Sequence, residues 1–203
     1  TSLVAEQEAL ELSEQIHLFF AVGQALGDAG IAAWDSKAYF DYARPVRVIR
    51  DLDALNLLDG DHLQQWNSYQ PPGSNSSPPF PEYVSGHSSF SAAAAEVLQR
   101  YLGHDQLDLS VEIAVGGSRF EPGITPAEPI TLAWESFSAA AQSAGDSRLY
   151  GGIHFADGND DGLALGQAVG RDVWSAAQDL AYGALDDELL QPFGLANDLT
   201  LHG

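Results

Sequence analysis

The chain lacks cysteine and methionine altogether, and Lys37 is the only lysine among its 203 residues. Without cysteine, the chain can form neither disulfides nor thiolate metal sites. Cysteine and methionine are also the side chains that oxidants attack most readily. Their absence is compatible with an enzyme that makes or meets strong oxidants.

Long apolar runs are missing as well. The best candidate, around Leu18 to Ala33, is interrupted by three glycines, a glutamine and an aspartate, so we expect no membrane span. Apolar residues still make up 45% of the chain, which predicts a folded globular protein with one full-sized core, or a large piece of a bigger one.

Positive charge is scarce, because eight Lys and Arg residues face 29 Asp and Glu residues. The resulting net charge of −21 argues against nucleic acid and anionic membranes as partners. Such an acidic surface fits a secreted or salt-adapted protein.

Apolar periodicity predicts an all-α fold. We expect helices over Leu3 to about Gly23, Asp28 to Arg44, Ser88 to Tyr101, Thr131 through Ala141, and Gly162 to about Ala184. Pro-rich residues 70–79 should form a loop that lines or covers something. We interpret 103–128 as a surface excursion with a short hairpin around 111–120, and the tail to Gly203 as irregular.

Ser85-Gly86-His87 lies where the Pro-rich loop enters an Ala-rich helix. The first turn of a helix leaves backbone N–H groups unpaired, and Gly86 has no Cβ to keep an oxyanion away from them. This pattern predicts an anion site. The alternative is that Ser85 is an ordinary N-cap and His87 a surface histidine.

Lys37 and Arg44 are seven residues apart in the second predicted helix. They fall on nearly the same face, roughly 10 Å apart along the axis, so both could reach one anion. Two solvated cations would be the alternative, but the aromatic neighbours Trp34, Tyr39 and Phe40 indicate a buried helix, where unpaired cations are costly.

Arg148 and His154 form a third candidate pair. Gly151 and Gly152 between them allow a tight bend, so both side chains could reach one pocket. A lone histidine in such a place is otherwise often a hydrogen-bonded core residue.

Together and in this order, Lys37-x6-Arg44-Pro45, Ser85-Gly86-His87 and Ser147-Arg148-x5-His154 resemble the signature of the vanadium-dependent haloperoxidases and the related type 2 phosphatidic-acid-phosphatase superfamily. The likeness extends from about Asp28 to Gly170. The flanking sequences look closest to the chloroperoxidase-like branch.

The resemblance implies a helical bundle, with long irregular loops over the active site, that binds vanadate. It implies the following roles: His154 as the residue bonded to the metal; Lys37, Arg44 and Arg148 as cations that neutralise the oxygens; Ser85 and the Gly86 N–H as hydrogen-bond donors; His87 as acid–base; Trp34 and Phe80 as walls of a halide pocket. For the last two residues, ordinary core packing is the alternative.

The implied reaction oxidises a halide with hydrogen peroxide, polarised by Lys37, to hypohalous acid, which then reaches a small organic substrate. One alternative is an acid phosphatase with His154 as nucleophile. Another is a non-catalytic anion-binding relative. The lack of spanning helices argues against integral-membrane lipid phosphatases.

The chain departs from the family pattern at two positions. Val84 stands where a proline usually precedes Ser-Gly-His, and Gly158 stands where an aspartate often follows the second histidine by four residues. Asp157 is a candidate substitute for that aspartate. No carboxylate partner for Arg148 is identifiable.

We interpret 1–203 as a single haloperoxidase/acid-phosphatase-like helical domain. Relatives are usually longer at the N-terminus, which leaves open that an N-terminal part is missing. The resemblance suggests a homo-oligomer, or association with such a segment, and a secreted or periplasmic location.

Overall fold

The computed structural model describes residues 1–60, 63–71, 73 and 77–182, and these form a helical bundle with one small sheet. The helices are α1 (Ser2–Gln7), α2 (Leu12–Phe40), α3 (Pro45–Ala54), α4 (Gly86–Leu102), α5 (Phe137–Tyr150) and α6 (Ala156–Tyr182), and the strands are β1 (Gln106–Ile113) and β2 (Ile130–Ser136). The predicted helical bundle is confirmed. The expectation for the tail beyond residue 182 lies outside the described residues.

α2 is one helix of 29 residues, although the sequence predicted two helices on either side of residues 24–27. The buried positions Leu18, Ala25 and Ala29 follow one helical stripe across that region. Packing of this stripe outweighs the roughly 1 kcal/mol that each interior glycine costs. α2 then ends at Phe40, where Asp41 adopts a left-handed conformation.

Arg44 therefore does not belong to the helix of Lys37, and that prediction was wrong. It is the N-cap of α3, with Pro45 at the first helical position. Proline is favoured there because its missing N–H would have no helical acceptor.

The prediction of a helix starting at Thr131 was also wrong. Thr131 lies in β2, which pairs antiparallel with β1, so the hairpin joins 106–113 to 130–136 and not residues within 111–120. The apolar residues Ile130, Leu132 and Trp134 alternate with polar or small ones, as in a half-exposed strand. The helix begins after Ser136, whose Oγ accepts a hydrogen bond from the N–H of Ala139 at 3.0 Å.

α4 lies at the centre of the bundle and packs against α2, α5 and α6. Gly162, Gly166 and Gly170 of α6 face the backbone of α4 so closely that a Cβ at Gly166 would lie 2.2 Å from the carbonyl oxygen of Ser89. α6 starts at Ala156, earlier than the predicted start at Gly162. As a result, the first turns of α4 and α6 meet, and the N–H of Ser85 donates to the carbonyl of Gly158 at 2.7 Å.

One stretch among the described residues, Leu12–Ala54, which covers α2 and α3, is long and apolar enough by composition to cross a membrane. Buried core helices and signal sequences meet the same criterion, so this is weak evidence for a span. The absence of a span stays a prediction.

Candidate active site

A cavity of about 360 Å³ lies where the first turn of α4, the end of α2, the loop before α4 and the α5–α6 connection meet. Seven of the nine predicted site residues line it: Trp34, Arg44, Phe80, Gly86, His87, Arg148 and His154. The other two, Lys37 and Ser85, are buried beside it. The structure thus brings three distant sequence motifs to one place.

Ser85 is the N-cap of α4, as its alternative interpretation predicted. Its Oγ accepts from the N–H of Ser88 at 3.3 Å and lies 2.8 Å from the Oγ of Ser88, which in turn lies 2.7 Å from Oδ1 of Asn159. The neighbouring Gly86 lines the cavity, and a Cβ there would fill the space 3.4 Å from the ring of Trp34. The start of α4 therefore borders the cavity at Gly86 and His87, whereas the N–H groups of Ser88 and Ser89 are bonded to Ser85.

Lys37 is only 2% exposed, and its ammonium group is bound by the loop before α4. Its Nζ donates to the carbonyl oxygens of Pro81 at 3.0 Å, Glu82 at 2.9 Å and Val84 at 2.5 Å. The pKa of Lys37 is lowered to about 8, first by burial and then by the positive charge of Arg44, while the carboxylate of Glu82 acts in the opposite direction. Lys37 therefore fixes the shape of the loop.

Arg44 is held by the same loop from another side. Its Nε donates to the carbonyl of Phe80 at 2.9 Å, Nη2 to that of Pro81 at 3.2 Å, and Nη1 to that of Ile153 at 2.8 Å. Burial lowers the pKa of Arg44 to about 10. Although Lys37 and Arg44 do not share a helix, they converge on the carbonyl of Pro81.

Both ring nitrogens of His154 have a protein partner. Nδ1 lies 2.6 Å from Oε1 of Glu82, and Nε2 lies 3.0 Å from Nη1 of Arg44. A guanidinium can only donate, so Nε2 is the acceptor and the proton resides on Nδ1. Burial lowers the pKa of His154, the hydrogen bond to Glu82 opposes this, and the charges of Arg44 and Lys37 reinforce it. The ring is therefore neutral near pH 7.

The sequence analysis missed Glu82. It is the only carboxylate residue in the buried class among the described residues, at 1% exposure. Asp157, the candidate substitute for the family aspartate, is exposed, and the hydrogen bond to Nδ1 of His154 comes from Glu82 instead. The available signal was its position as the sole acid in residues 70–85, between a proline-rich loop and a helix cap.

His87 and Arg148 face the cavity from α4 and α5. The side chain of His87 is exposed, in line with the alternative of a surface histidine, yet partial desolvation lowers its pKa and the charge of Arg148 adds to this effect. Nε of Arg148 donates to Oγ of Ser147 at 2.9 Å, and within the described part of the chain Arg148 forms no ion pair. Its guanidinium can therefore bind an anion in the cavity.

Aromatic side chains form the remaining wall. The ring centroid of Trp34 lies 5.4 Å from that of Phe80 and 6.4 Å from that of Phe90, which sequence reasoning did not single out. Nζ of Lys37 lies 5.4 Å from the ring centroid of Phe80, and Cζ of Arg44 lies 5.0 Å from it. Apolar surface and buried cations therefore meet at one side of the cavity.

The donor set fits an oxyanion. Three cations, Lys37, Arg44 and Arg148, outnumber the single buried carboxylate of Glu82, which leaves two net positive charges around a neutral imidazole. The described residues include no group of three or more His, Cys, Asp or Glu side chains that could hold a bare metal ion. A vanadate or phosphate group matches this charge and these N–H donors.

Comparison with known proteins supports the resemblance drawn from the motifs. Residues 17–183 match the sequence model of the VCPO second helical-bundle domain. The vanadium chloroperoxidase of Curvularia inaequalis is 37% identical over 92 residues, which cover 41% of this chain and 14% of that protein.

Solved structures of vanadium-dependent haloperoxidases superpose on this chain. The holo-type bacterial vanadium-dependent chloroperoxidase superposes with a TM-score of 0.70 at 27% identity, over 80% of this chain and 36% of that one. The apo-type structure gives 0.73 at 28%, over 83% and 38%, and a bacterial vanadium-dependent iodoperoxidase gives 0.61 at 28%, over 83% and 35%. The chain thus spans well under half the length of these relatives. Because the family match covers most of its residues, the chain belongs to the VCPO second helical-bundle domain family.

Proposed function

We propose that this chain carries the active site of a vanadate-dependent haloperoxidase, which oxidises a halide with hydrogen peroxide to hypohalous acid. One observation carries the proposal: a buried, neutral His154 presents Nε2 in a cavity where buried cations outnumber carboxylates. Family membership and the vanadium-dependent relatives support it.

The residues fit vanadate as a resident group. His154 would hold the metal through Nε2, and Arg148, the Gly86 N–H and His87 would contact it from the cavity. Lys37, Arg44 and Ser85 would complete the set, after exchange of some of their present contacts. When bound, vanadate supplies a Lewis acid that activates hydrogen peroxide toward halide.

His87 is the candidate acid–base. Burial and Arg148 keep its imidazole neutral near pH 7, so it can accept a proton from hydrogen peroxide. It returns that proton to the departing oxygen while the halide takes the other oxygen. With one further proton from solvent, the products are hypohalous acid and water.

The aromatic wall is the proposed halide site. Trp34, Phe80 and Phe90 supply apolar surface, and the buried charges of Lys37 and Arg44 lie next to the ring of Phe80. A weakly hydrated halide is stabilised by such a combination of apolar surface and positive charge. The size of the cavity, about 360 Å³, suits a small organic acceptor.

We further propose that the single helical domain assembles through the outer face of α2, with another copy or with an additional helical segment. Leu12, Ile16 and Ile31 are all more than 60% exposed on this helix, and a Cβ at Gly23 or Gly27 would meet nothing within 4 Å. Light scattering of the parent protein and of Ile16→Glu tests whether the exposed face of α2 mediates assembly.

We also propose a secreted or periplasmic location, which the charge of −21 supports and which cell fractionation tests.

The decisive experiment is bromide-dependent halogenation of a dye by the protein with hydrogen peroxide, titrated with orthovanadate. We expect activity that appears with orthovanadate, falls when phosphate competes, and is lost in His154→Ala. The exposed His104→Ala serves as the matched control and should retain activity. No activity at saturating orthovanadate in a folded protein would overturn the proposal, and hydrolysis of p-nitrophenyl phosphate would then point to a phosphatase.

A further inference from the structure

We propose that Glu82 is the positioning residue of His154. Gly158 makes this contact possible, because the absence of a side chain at 158 leaves room for the Glu82 carboxylate. The two positions act as one unit: the carboxylate comes from the loop before α4 because α6 carries no side chain at 158. The catalytic consequence rests on the proposed function, whereas the orientation of the ring does not.

Glu82 is held by contacts of both its main chain and its side chain. The main chain of Glu82 is held by its N–H, which donates to the carbonyl of Tyr42 at 2.8 Å, and by its carbonyl, which accepts from Nζ of Lys37 at 2.9 Å. Its Oε1 accepts from Nδ1 of His154 at 2.6 Å and from the N–H of Phe155 at 3.1 Å. The carboxylate therefore binds both the ring and the backbone that follows it.

Gly158 lies four residues after His154, in the first turn of α6, and no side chain fits there beside the present carboxylate of Glu82. A Cβ at 158 would lie 2.2 Å from Oε1, 2.8 Å from Cδ and 2.8 Å from Oε2 of Glu82. Cβ atoms do not approach other heavy atoms this closely, so even alanine must expel the carboxylate from its place. The carboxylate of residue 82 can therefore occupy this place only when residue 158 is glycine.

The consequence lies in the proton of the imidazole. An ionised acceptor at Nδ1 makes a strong hydrogen bond and keeps the proton on that nitrogen. Nε2 then retains its lone pair, which Arg44 now uses and which an anion could use instead. Without Glu82, the proton can reside on either nitrogen, and the ring loses the contact that fixes its rotation.

A set of variants tests the unit: Glu82→Ala, Gly158→Ala, the double variant of both, and Glu82→Ala/Gly158→Asp. We expect each single alanine variant to weaken orthovanadate binding, measured by calorimetry, by about 10- to 100-fold. In the Glu82→Ala background, Gly158→Ala should cost little more, because the carboxylate that it would displace is gone. The aspartate variant should recover part of the affinity, because a carboxylate from α6 would replace that of Glu82 near Nδ1 of His154.

Nitrogen NMR of histidine-labelled protein without any anion gives a second readout. We expect the Nδ1-protonated form of His154 in the parent protein and in Glu82→Gln, whose amide oxygen still accepts, and a mixture of forms in Glu82→Ala. If Glu82→Ala does not fold, Gly158→Ala, which displaces the same carboxylate, should show the mixture of forms instead.

An unchanged Nδ1-protonated form in Glu82→Ala, or fully additive effects of Glu82→Ala and Gly158→Ala on binding, would overturn the proposal. These readouts do not depend on turnover. A protein that shows the expected forms of His154 but no vanadate-dependent halogenation would lose the proposed function and keep the role of Glu82.

Discussion

Nη1 of Arg44 lies 3.0 Å from Nε2 of His154, so Arg44 donates a hydrogen bond to the lone pair through which His154 would bind an anion. An anion that binds through Nε2 must replace this hydrogen bond, and Arg44 must turn its donor to the anion. Arg44 and His154, which are both proposed to bind the anion, are therefore hydrogen-bonded to each other when no anion is bound.

This contact predicts a local NMR response to binding. Addition of orthovanadate should shift the Nε2 signal of His154 in a saturable way, because its hydrogen-bond donor is exchanged for the metal. The signals of His17, which lies between Trp174 and Tyr101 outside the cavity, should not move. Saturable binding that leaves the His154 signal in place would show that the anion binds elsewhere.

Lys37 predicts a loss of anion affinity above neutral pH. Its pKa of about 8, set by burial and by Arg44 against the opposing charge of Glu82, means that the folded site loses one positive charge as pH rises through 8. Sulfate affinity should fall by at least about tenfold from about pH 7 to 9, a range in which sulfate does not titrate and which lies below the pKa of about 10 of Arg44. Lys37→Met should bind weakly with a flat profile, and an equally flat profile in the parent protein would contradict the prediction.

Titration of Lys37 changes the free energy of unfolding in the opposite direction from anion affinity. Between pH 8, near the pKa of Lys37 in the folded chain, and the ordinary lysine pKa of 10.5, the unfolded chain binds a proton at Lys37 that the folded chain does not. Stability therefore gains from this residue as pH rises through that window.

Gly166→Ala should destabilise the bundle. Its Cβ would lie 2.2 Å from the carbonyl oxygen of Ser89, so α4 and α6 must separate, at a cost of about 1–3 kcal/mol or more in urea denaturation. Gly23→Ala is the matched control, since nothing lies within 4 Å of its Cβ, and it should stabilise by about 0.5–1 kcal/mol. Equal effects of the two variants would rule out the close approach of α4 and α6.

Phe80→Ala should weaken halide use more than vanadate binding. The ring borders Trp34, and its centroid lies close to the cations of Lys37 and Arg44, whereas its carbonyl contact to Arg44 belongs to the backbone and survives substitution. We expect KM for bromide to rise several-fold with little change in the Kd for orthovanadate. Phe40→Ala, in an aromatic group with Tyr42 and Tyr83, serves as the control.

The bundle and the meeting of three motifs could be predicted from sequence, because residue type and order carried the resemblance. Element boundaries were harder. The glycines in α2 looked like breaks, yet the buried stripe through Ala25 and Ala29 continues across them, and burial outweighs propensity. Thr131 looked like a cap, whereas alternation from Ile130 to Trp134 was the stronger, overlooked sign of a strand.

Part of the site was beyond sequence reasoning for a geometric reason. Lys37 and Arg44 were predicted to face an anion, but backbone carbonyls of the loop before α4 take up their donors, and no side-chain pattern signals such contacts. Glu82 reaches His154 across 72 positions of sequence. Only the fold reveals that pairing.

The fit between Glu82 and Gly158 also constrains how such a site can evolve. A side chain at 158 would take the place of the Glu82 carboxylate, so only one of the two positions can supply the acceptor for Nδ1 of His154. A search pattern that demands an aspartate four residues after the second histidine would consequently miss this chain, whose acceptor for Nδ1 of His154 is Glu82.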